Sequence, residues 1–119
     1  MTKTNHLSEK VIKYILSRSN EELGELTVER IAYALKVSQS HLYDIFKSEK
    51  KITPGRFLIM MKMYRSAFLL EEEKKIPIKK ISRKMGFSSS DYFNKIFREY
   101  FGTTPGRYRG YVRTKGMSR

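Results

Sequence analysis

Three polar side chains have the types and the spacing to form specific hydrogen bonds: Asn94, its neighbour Lys95, and Asp44, which precedes Lys95 by 51 residues. An amide donates and accepts at once, an ammonium only donates, and a carboxylate only accepts. In the major groove of DNA, an amide pairs bidentately with adenine, an ammonium donates to guanine, and a carboxylate accepts from the N4 amino group of cytosine. Recognition of base edges is therefore one chemistry open to these residues, provided that the elements carrying them present them to a groove.

The composition leaves little material for catalysis. The 119 residues include no cysteine and only two histidines, His6 and His41, which excludes thiolate nucleophiles, disulfides and Cys-ligated zinc. The sequence contains no nucleophile–base pair, no cluster of metal ligands and no phosphate-cradling glycine loop. We predict a binding protein rather than an enzyme, with no metal and no cofactor.

The charge of the chain is uneven. The net charge is +13, of which residues 1–50 carry +1 and residues 51–119 carry +12. Such an excess repels itself unless a polyanion screens it, which favours nucleic acid as the partner. A solvated basic surface without a partner is the alternative. The start of the sequence lacks the apolar run of a signal peptide and no stretch is long enough to span a membrane, which predicts a cytoplasmic protein.

The chain contains one pattern twice. At an offset of 50 residues, Ile31, Val37 and Ser38 match Ile81, Phe87 and Ser88, and at an offset of 51 the segment TPGRF at 53–57 matches TPGRY at 104–108. In each copy, apolar residues at helical spacing stop at a short turn and then resume, which is typical of a helix-turn-helix. Ala32 and Ser82 are small residues placed where the two helices of each copy would cross.

We predict an all-α fold of about seven helices, in which two helix-turn-helix subdomains are joined by a long connector helix. Residues 1–53 would form the first subdomain, 54–75 the connector, 76–110 the second subdomain and 111–119 a loose basic tail. Ser8 is expected to cap an opening helix over residues 8–18. Thr53-Pro54 and Thr104-Pro105 each place a capping residue before a proline, so a helix should begin at each.

The periodicity separates buried from outward positions. Predicted to be buried are Val11, Ile12, Ile15 and Leu16 in the opening helix, Leu42, Ile45 and Phe46 in the first copy, and Phe93, Ile96, Phe97 and Tyr100 in the second. The outward positions on the second helix of each copy are then Gln39, Ser40, Tyr43, Asp44 and Lys47, and Ser89, Ser90, Asp91, Asn94, Lys95 and Arg98.

A basic face is predicted on the first helix of the second copy, where Lys79, Lys80, Arg83 and Lys84 lie opposite the apolar residues. In a helix-turn-helix this helix crosses the DNA backbone, so these side chains are expected to bind phosphates without reading sequence. The other residues expected at phosphates are Thr27 and Thr104 at helix N-termini, Gln39 and Ser89 at the starts of the reading helices, and Lys47, Arg98 and Arg107.

At this point the chain resembles the DNA-binding domain of the AraC/XylS family of bacterial transcription regulators, over about residues 7–110. The second copy carries the family signature in Met85-Gly86-Phe87-Ser88, Tyr92-Phe93, Ile96-Phe97-Arg98, Tyr100-Phe101-Gly102 and Thr104-Pro105. The first copy carries Ile31-Ala32, Val37-Ser38, Leu42, Ile45-Phe46-Lys47 and Thr53-Pro54, and the connector carries Lys62-Met63 and Ala67.

The resemblance implies a function and a set of base-reading residues. By resemblance these are Ser40, Tyr43 and Asp44 in the first copy and Ser90, Asp91, Asn94 and Lys95 in the second. It also implies activation of transcription by contact with RNA polymerase. Two reading helices on one connector predict a monomer on double-stranded promoter DNA, associated with the nucleoid. The effector-binding domain that is typical of the family is absent from this sequence, so no small-molecule ligand is expected. The chain is similar to the short stand-alone members or to an isolated C-terminal domain.

Three positions depart from the family pattern. Lys36 and Lys51 stand where glycine is usual, and a left-handed backbone at such a position would cost about 1 kcal/mol. Ser82 stands where alanine is usual. We therefore expect the first copy to be the less stable one.

Several alternatives stay open at this stage. Asp91 could cap its helix instead of contacting a base, Asp44 could pair with Lys47, and His41 could pack or contact a phosphate. For the whole chain, the alternatives are an architectural protein that binds DNA or RNA without sequence preference, and a module that binds another protein.

Overall fold

The structure, a computed structural model, describes the backbone of residues 2–72 and 75–117 and the side chains of residues 6–72 and 75–111. Over those residues the chain is all-helical, as predicted. Its eight helices are α1 (Thr2–Leu16), α2 (Asn20–Glu25), α3 (Val28–Ala34), α4 (Gln39–Lys50), α5 (Pro54–Glu72), α6 (Ile78–Lys84), α7 (Ser90–Phe101) and α8 (Pro105–Met117). The chain divides into two compact units, Met1–Met61 and Lys62–Arg119, and this division falls within α5.

In the first unit, α1 packs against α4 behind the helix-turn-helix formed by α3 and α4. The core consists of fully buried apolar side chains that the periodicity predicts, such as Val11, Ile15, Leu42 and Phe46. Leu16, the last residue of α1, was expected in the same stripe but is 59% exposed.

The start of α1 differs from the prediction. The helix begins at Thr2, so Ser8 lies inside it and is not a cap. Its side chain is fully buried on the same face as Val11 and Ile15.

The extra helix is α2, which brings the number to eight. It begins with a capping box: the Ser19 hydroxyl accepts from the Glu22 backbone N–H, and the Glu22 carboxylate accepts from the Ser19 N–H. This reciprocal bonding lowers the pKa of Glu22. Leu23 then anchors the short helix in the core of the unit.

In the second unit, α6 and α7 form the second helix-turn-helix, over a core of aromatic rings. Phe93 and Phe97 are fully buried, and Phe97 lies 4.6 Å from Phe101 and 5.6 Å from Tyr108, measured between ring centroids. Tyr100, which the periodicity assigned to the same stripe, is 38% exposed instead. Buried apolar residues of α5 and α6, such as Met63, Leu70, Ile81 and Met85, complete the core of this unit.

The last helix is longer than expected, because α8 continues to Met117 where a loose tail was predicted. The side chains of residues 112–119 lie outside the described part of the chain. Arg109 ties α8 to the preceding segment, since its guanidinium donates to the carbonyl oxygens of Leu70 and Ile76 at 3.4 and 2.7 Å. Among the described helices, none combines the length and apolar content that crossing a membrane requires.

The contact between Tyr108 and Glu71 makes the second unit sensitive to high pH. The phenol donates to the Glu71 carboxylate at 2.8 Å, and burial, together with this bond and charge, raises the pKa of Tyr108 from 10.0 to about 12. The folded state therefore holds a proton that the unfolded state loses between pH 10 and 12, so stability falls with pH across this window.

We expect the Tyr108→Phe variant to isolate this effect. The difference in unfolding free energy between wild type and variant should stay constant below pH 10 and shrink between pH 10 and 12, because only wild type carries the phenol. Urea denaturation of both proteins at matched pH values measures it, and lysine titration cancels in the difference. A difference that is flat across pH 9–12 would contradict the assignment.

The four interhelical turns with positive φ occur in matched pairs. Lys36 (φ 61°) and Gly86 (φ 87°) occupy the turn of each helix-turn-helix, and Lys51 (φ 63°) and Gly102 (φ 73°) end each second helix. At both of these left-handed positions the first unit has a lysine where the second unit has a glycine. Both lysines adopt the left-handed conformation considered in the sequence analysis, so the expected backbone cost applies to the first unit.

Candidate nucleic-acid interface

The predicted reading residues of the first unit share one exposed face of α4. Ser38 begins the helix, because its hydroxyl accepts from the His41 backbone N–H at 3.1 Å. Gln39, Ser40, Tyr43 and Asp44 follow on the first two turns and line a shallow depression of about 360 Å³. The described part of this surface can therefore present hydroxyl, amide, phenol and carboxylate groups to a ligand from one side.

The depression also includes Val28, an apolar residue that is not among the predicted reading residues. Val28 is half-buried at the start of α3, where it lies beside α4. Periodicity alone cannot reveal this double role, because residues at the first turn of a helix face both the core and the neighbouring helix. An apolar group at this place could contact the methyl group of thymine.

Lys47 contacts Tyr43 rather than Asp44. Its ammonium lies over the Tyr43 ring, 5.6 Å from the ring centroid, within the range of a cation–π interaction. Within the described residues no ion pair joins Lys47 to Asp44, so the alternative of an Asp44–Lys47 pair is not seen. The Asp44 carboxylate is exposed beside the depression.

The second reading helix, α7, begins at Ser89. The Ser89 hydroxyl accepts from the Tyr92 N–H at 3.2 Å, so Asp91 is not the cap and that alternative is wrong. Asp91 lies in the first turn, where a carboxylate interacts favourably with the helix dipole. Lys95 and Arg98 are exposed, while Ser90 and Asn94 are half-buried.

Asn94 holds an unpaired acceptor. Its Oδ1 is buried and has no hydrogen-bond partner among the described residues. A buried acceptor in this state costs about 1–3 kcal/mol. Rotation of the amide outward would let adenine donate its N6 amino group to Oδ1, which would relieve the cost on binding.

We expect Asn94→Ala to separate binding from stability. The free energy of unfolding should change by less than about 0.5 kcal/mol, because lost packing and the removed unpaired acceptor offset each other. Binding should weaken by about 1–3 kcal/mol at one or two base positions only. A panel of duplexes with single base substitutions measures this, and an equal loss on every duplex would exclude Asn94 as a reader.

The basic face of α6 is present as predicted. Lys79, Lys80 and Arg83 are exposed, and Lys84 is half-buried. They lie opposite Ile81 and Met85, which are fully buried. Exposed cations along one short helix form a surface that suits the phosphates of a nucleic acid, which is the role predicted for this face.

The matching helix of the first unit lacks such a face. Offset by 50 residues, α3 carries Glu29, Arg30, Tyr33 and Ala34 in place of the four cations. Arg30 pairs with Glu25 at 3.9 Å, and Tyr33 is 87% exposed. The alignment of the two copies could have revealed this difference, which the sequence analysis did not draw.

The threonines expected at phosphates act as helix caps. The Thr27 hydroxyl accepts from the Arg30 N–H at 3.1 Å, and the Thr104 hydroxyl accepts from the Arg107 N–H at 3.3 Å. Arg107 is exposed in the first turn of α8. Both hydroxyl protons stay available to donate to an anion, since the caps use only the oxygen as acceptor.

Comparison with known proteins places this geometry in a family. The family model described as a helix-turn-helix domain matches residues 31–111. The Msm operon regulatory protein of Streptococcus mutans is 39% identical over 86 residues, which cover 72% of this chain and 31% of that protein. The lactose operon transcription activator of Staphylococcus xylosus is 32% identical over 84 residues, which cover 71% of this chain and 30% of that protein.

A solved structure agrees. The DNA-binding transcriptional dual regulator from Escherichia coli K-12 superposes with a TM-score of 0.76 at 28% identity, covering 91% of this chain and 93% of that chain. This chain spans about a third of the length of the two curated relatives above, at 31% and 30%. The chain belongs to the AraC-type helix-turn-helix family of transcriptional regulators.

Proposed function

We propose that the chain regulates a promoter by sequence-specific binding of double-stranded DNA, with α4 and α7 in successive major grooves. The observation that carries this proposal is the duplication: each unit has its own helix-turn-helix whose second helix presents an exposed polar face. The base-reading residues proposed are those of the sequence analysis, with Asn94 and Lys95 as the principal ones.

Two reading helices in one chain have a consequence for the binding site. Successive major grooves on one side of DNA lie about 34 Å apart, and a single chain with two readers has no need of a palindrome. We expect a monomer on an asymmetric site. If the two reading helices are closer together than successive grooves, the DNA must bend to reach both, at a cost on the order of 1–6 kcal/mol.

Fluorescence anisotropy tests the proposal. Binding is measured over a series of salt concentrations for two duplexes, one from the promoter upstream of the gene that encodes this chain and one with the same bases scrambled. We expect a preference of about a thousandfold or more for the promoter, at a stoichiometry of 1:1. If binding is equal on both duplexes, selection from a random duplex pool comes next. Failure to enrich any sequence would favour the alternative of an architectural protein that binds nucleic acid without sequence preference. The net charge of +13 would be sufficient for such binding.

The direction of regulation needs a second experiment. The name of the Staphylococcus relative describes an activator, which supports activation through RNA polymerase in this chain. In vitro transcription from the selected promoter with purified bacterial RNA polymerase should rise when the chain is added. A fall in transcript would indicate repression and overturn this part of the proposal.

A further inference from the structure

We propose that Lys36 is the phosphate-binding anchor of the first unit, replacing the basic helix face that only the second unit has. This inference rests on the proposed DNA-binding function and adds a contact outside the expected sites. It follows from three observations: a charge difference between the matched helices, a strained backbone, and the position of Lys36 beside the reading face.

The charge difference concerns the helix that precedes each turn. In α6 the four outward positions are all cationic, whereas in α3 they hold one acid, one arginine, one tyrosine and one alanine. Arg30, the only cation among these four residues, forms an ion pair with Glu25. A helix with no net charge at these positions adds little to phosphate binding, so the first unit needs its anchor elsewhere.

The strain concerns the turn itself. In the first unit, the Lys36 N–H donates to the Tyr33 carbonyl at 3.1 Å and the Val37 N–H donates to the Ala32 carbonyl at 3.0 Å. The second unit repeats both bonds from Gly86 and Phe87, at 2.9 and 3.0 Å. Since glycine makes the same turn without strain, the turn does not require a lysine. Lys51 shares this strain, so the strain makes both lysines candidates for a function and their positions must distinguish them.

The position of Lys36 suits that function. It lies two residues before Ser38, the cap of α4, and its side chain is exposed. The residues proposed to enter the groove, Ser40, Tyr43 and Asp44, follow within the first two turns of α4. Consecutive Cα atoms are about 3.8 Å apart, so Lys36 is within about 15 Å of Ser40 and can reach the phosphates that border the groove.

Lys51 provides a matched control. It is the other left-handed lysine and is exposed too, but it ends α4, about 18 Å along the helix axis from Gln39 at a rise of 1.5 Å per residue. Replacing either lysine by glycine removes one positive charge and relieves the same backbone strain. Only the replacement at Lys36 should remove a phosphate contact.

The experiment compares Lys36→Gly, Lys51→Gly and wild type in two measurements. Thermal unfolding should show both variants stabilised, with midpoints raised by roughly 3 °C. Anisotropy with the selected duplex should show Lys36→Gly binding about fivefold more weakly at 0.15 M salt, with the slope of log K against log salt shallower by about 0.9. The loss should be equal on specific and scrambled DNA, whereas Lys51→Gly should keep the wild-type slope.

The outcomes separate the two proposals. An unchanged slope in Lys36→Gly, or equal changes in both variants, would overturn the anchor while leaving the proposed function intact. Wild-type protein that prefers no duplex would overturn the proposed function instead, and the slope of Lys36→Gly would then still show whether Lys36 contacts phosphate.

Discussion

The Phe97→Ala variant is expected to lose about 3–5 kcal/mol of unfolding free energy, a large part of the 5–15 kcal/mol typical of a domain. Phe97 is fully buried among other aromatic rings: its centroid lies 6.0 Å from that of Phe93 and 4.6 Å from that of Phe101. Truncation removes the apolar area and leaves a cavity that rigid neighbouring rings cannot fill. Urea denaturation followed by circular dichroism measures the loss.

Phe68→Ala is the matched control, because Phe68 is 56% exposed on α5 in the same unit. The same truncation should cost less than about 1 kcal/mol there, since little buried apolar area is lost. Equal costs for the two variants would mean that the ring of Phe97 does not lie in a close-packed core. Because Phe97 is on α7, the variant should also weaken DNA binding, through loss of the reading helix.

Replacing Lys79, Lys80 and Arg83 together by alanine is expected to weaken DNA binding on the order of a hundredfold at 0.15 M salt. Each cation that neutralises a phosphate contributes about 0.9 to the salt slope, so the slope should become shallower by about 2.7. The loss should be the same on specific and scrambled duplexes, because phosphates carry no sequence. Anisotropy over a salt series on both duplexes measures it.

The control is a second triple variant that removes the same number of positive charges, with Lys10, Lys13 and Lys50 replaced by alanine. All three are exposed, and they lie on α1 and at the end of α4, outside the expected contacts. We expect a change in slope below about one unit, from the general field of the chain alone. Similar slopes for the two triples would show that the charge acts diffusely and that α6 is not an anchor.

Much of the local structure could be predicted from the sequence, because it depends on neighbouring residues. Thr27, Thr53 and Thr104 accept from backbone N–H groups three residues ahead, as their place before an apolar or proline-initiated helix predicts. The helix α2 was missed although Ser19 and Glu22 have capping-box spacing, so its signal was present in the sequence.

The burial of individual residues was predicted less well. Leu16 and Tyr100 have the periodicity of core residues and are exposed, because periodicity identifies a face of a helix but not how far its packing partner extends. The pairing of Arg30 with Glu25 and the contact of Lys47 with Tyr43 could not be predicted either, for a different reason. Each depends on which rotamer the surrounding surface favours.

The all-α class, the two helix-turn-helix copies, the threonine caps and the basic face of α6 could be predicted from the sequence, since they follow from spacing, capping chemistry and charge. The packing of the helices was needed to establish that Lys36 and Lys51 are left-handed, that Val28 lines the same depression as the predicted reading residues, and that Asn94 holds an unpaired oxygen. The physical reason is that the sign of a turn residue's φ, and the neighbours of a side chain, depend on how the helices pack.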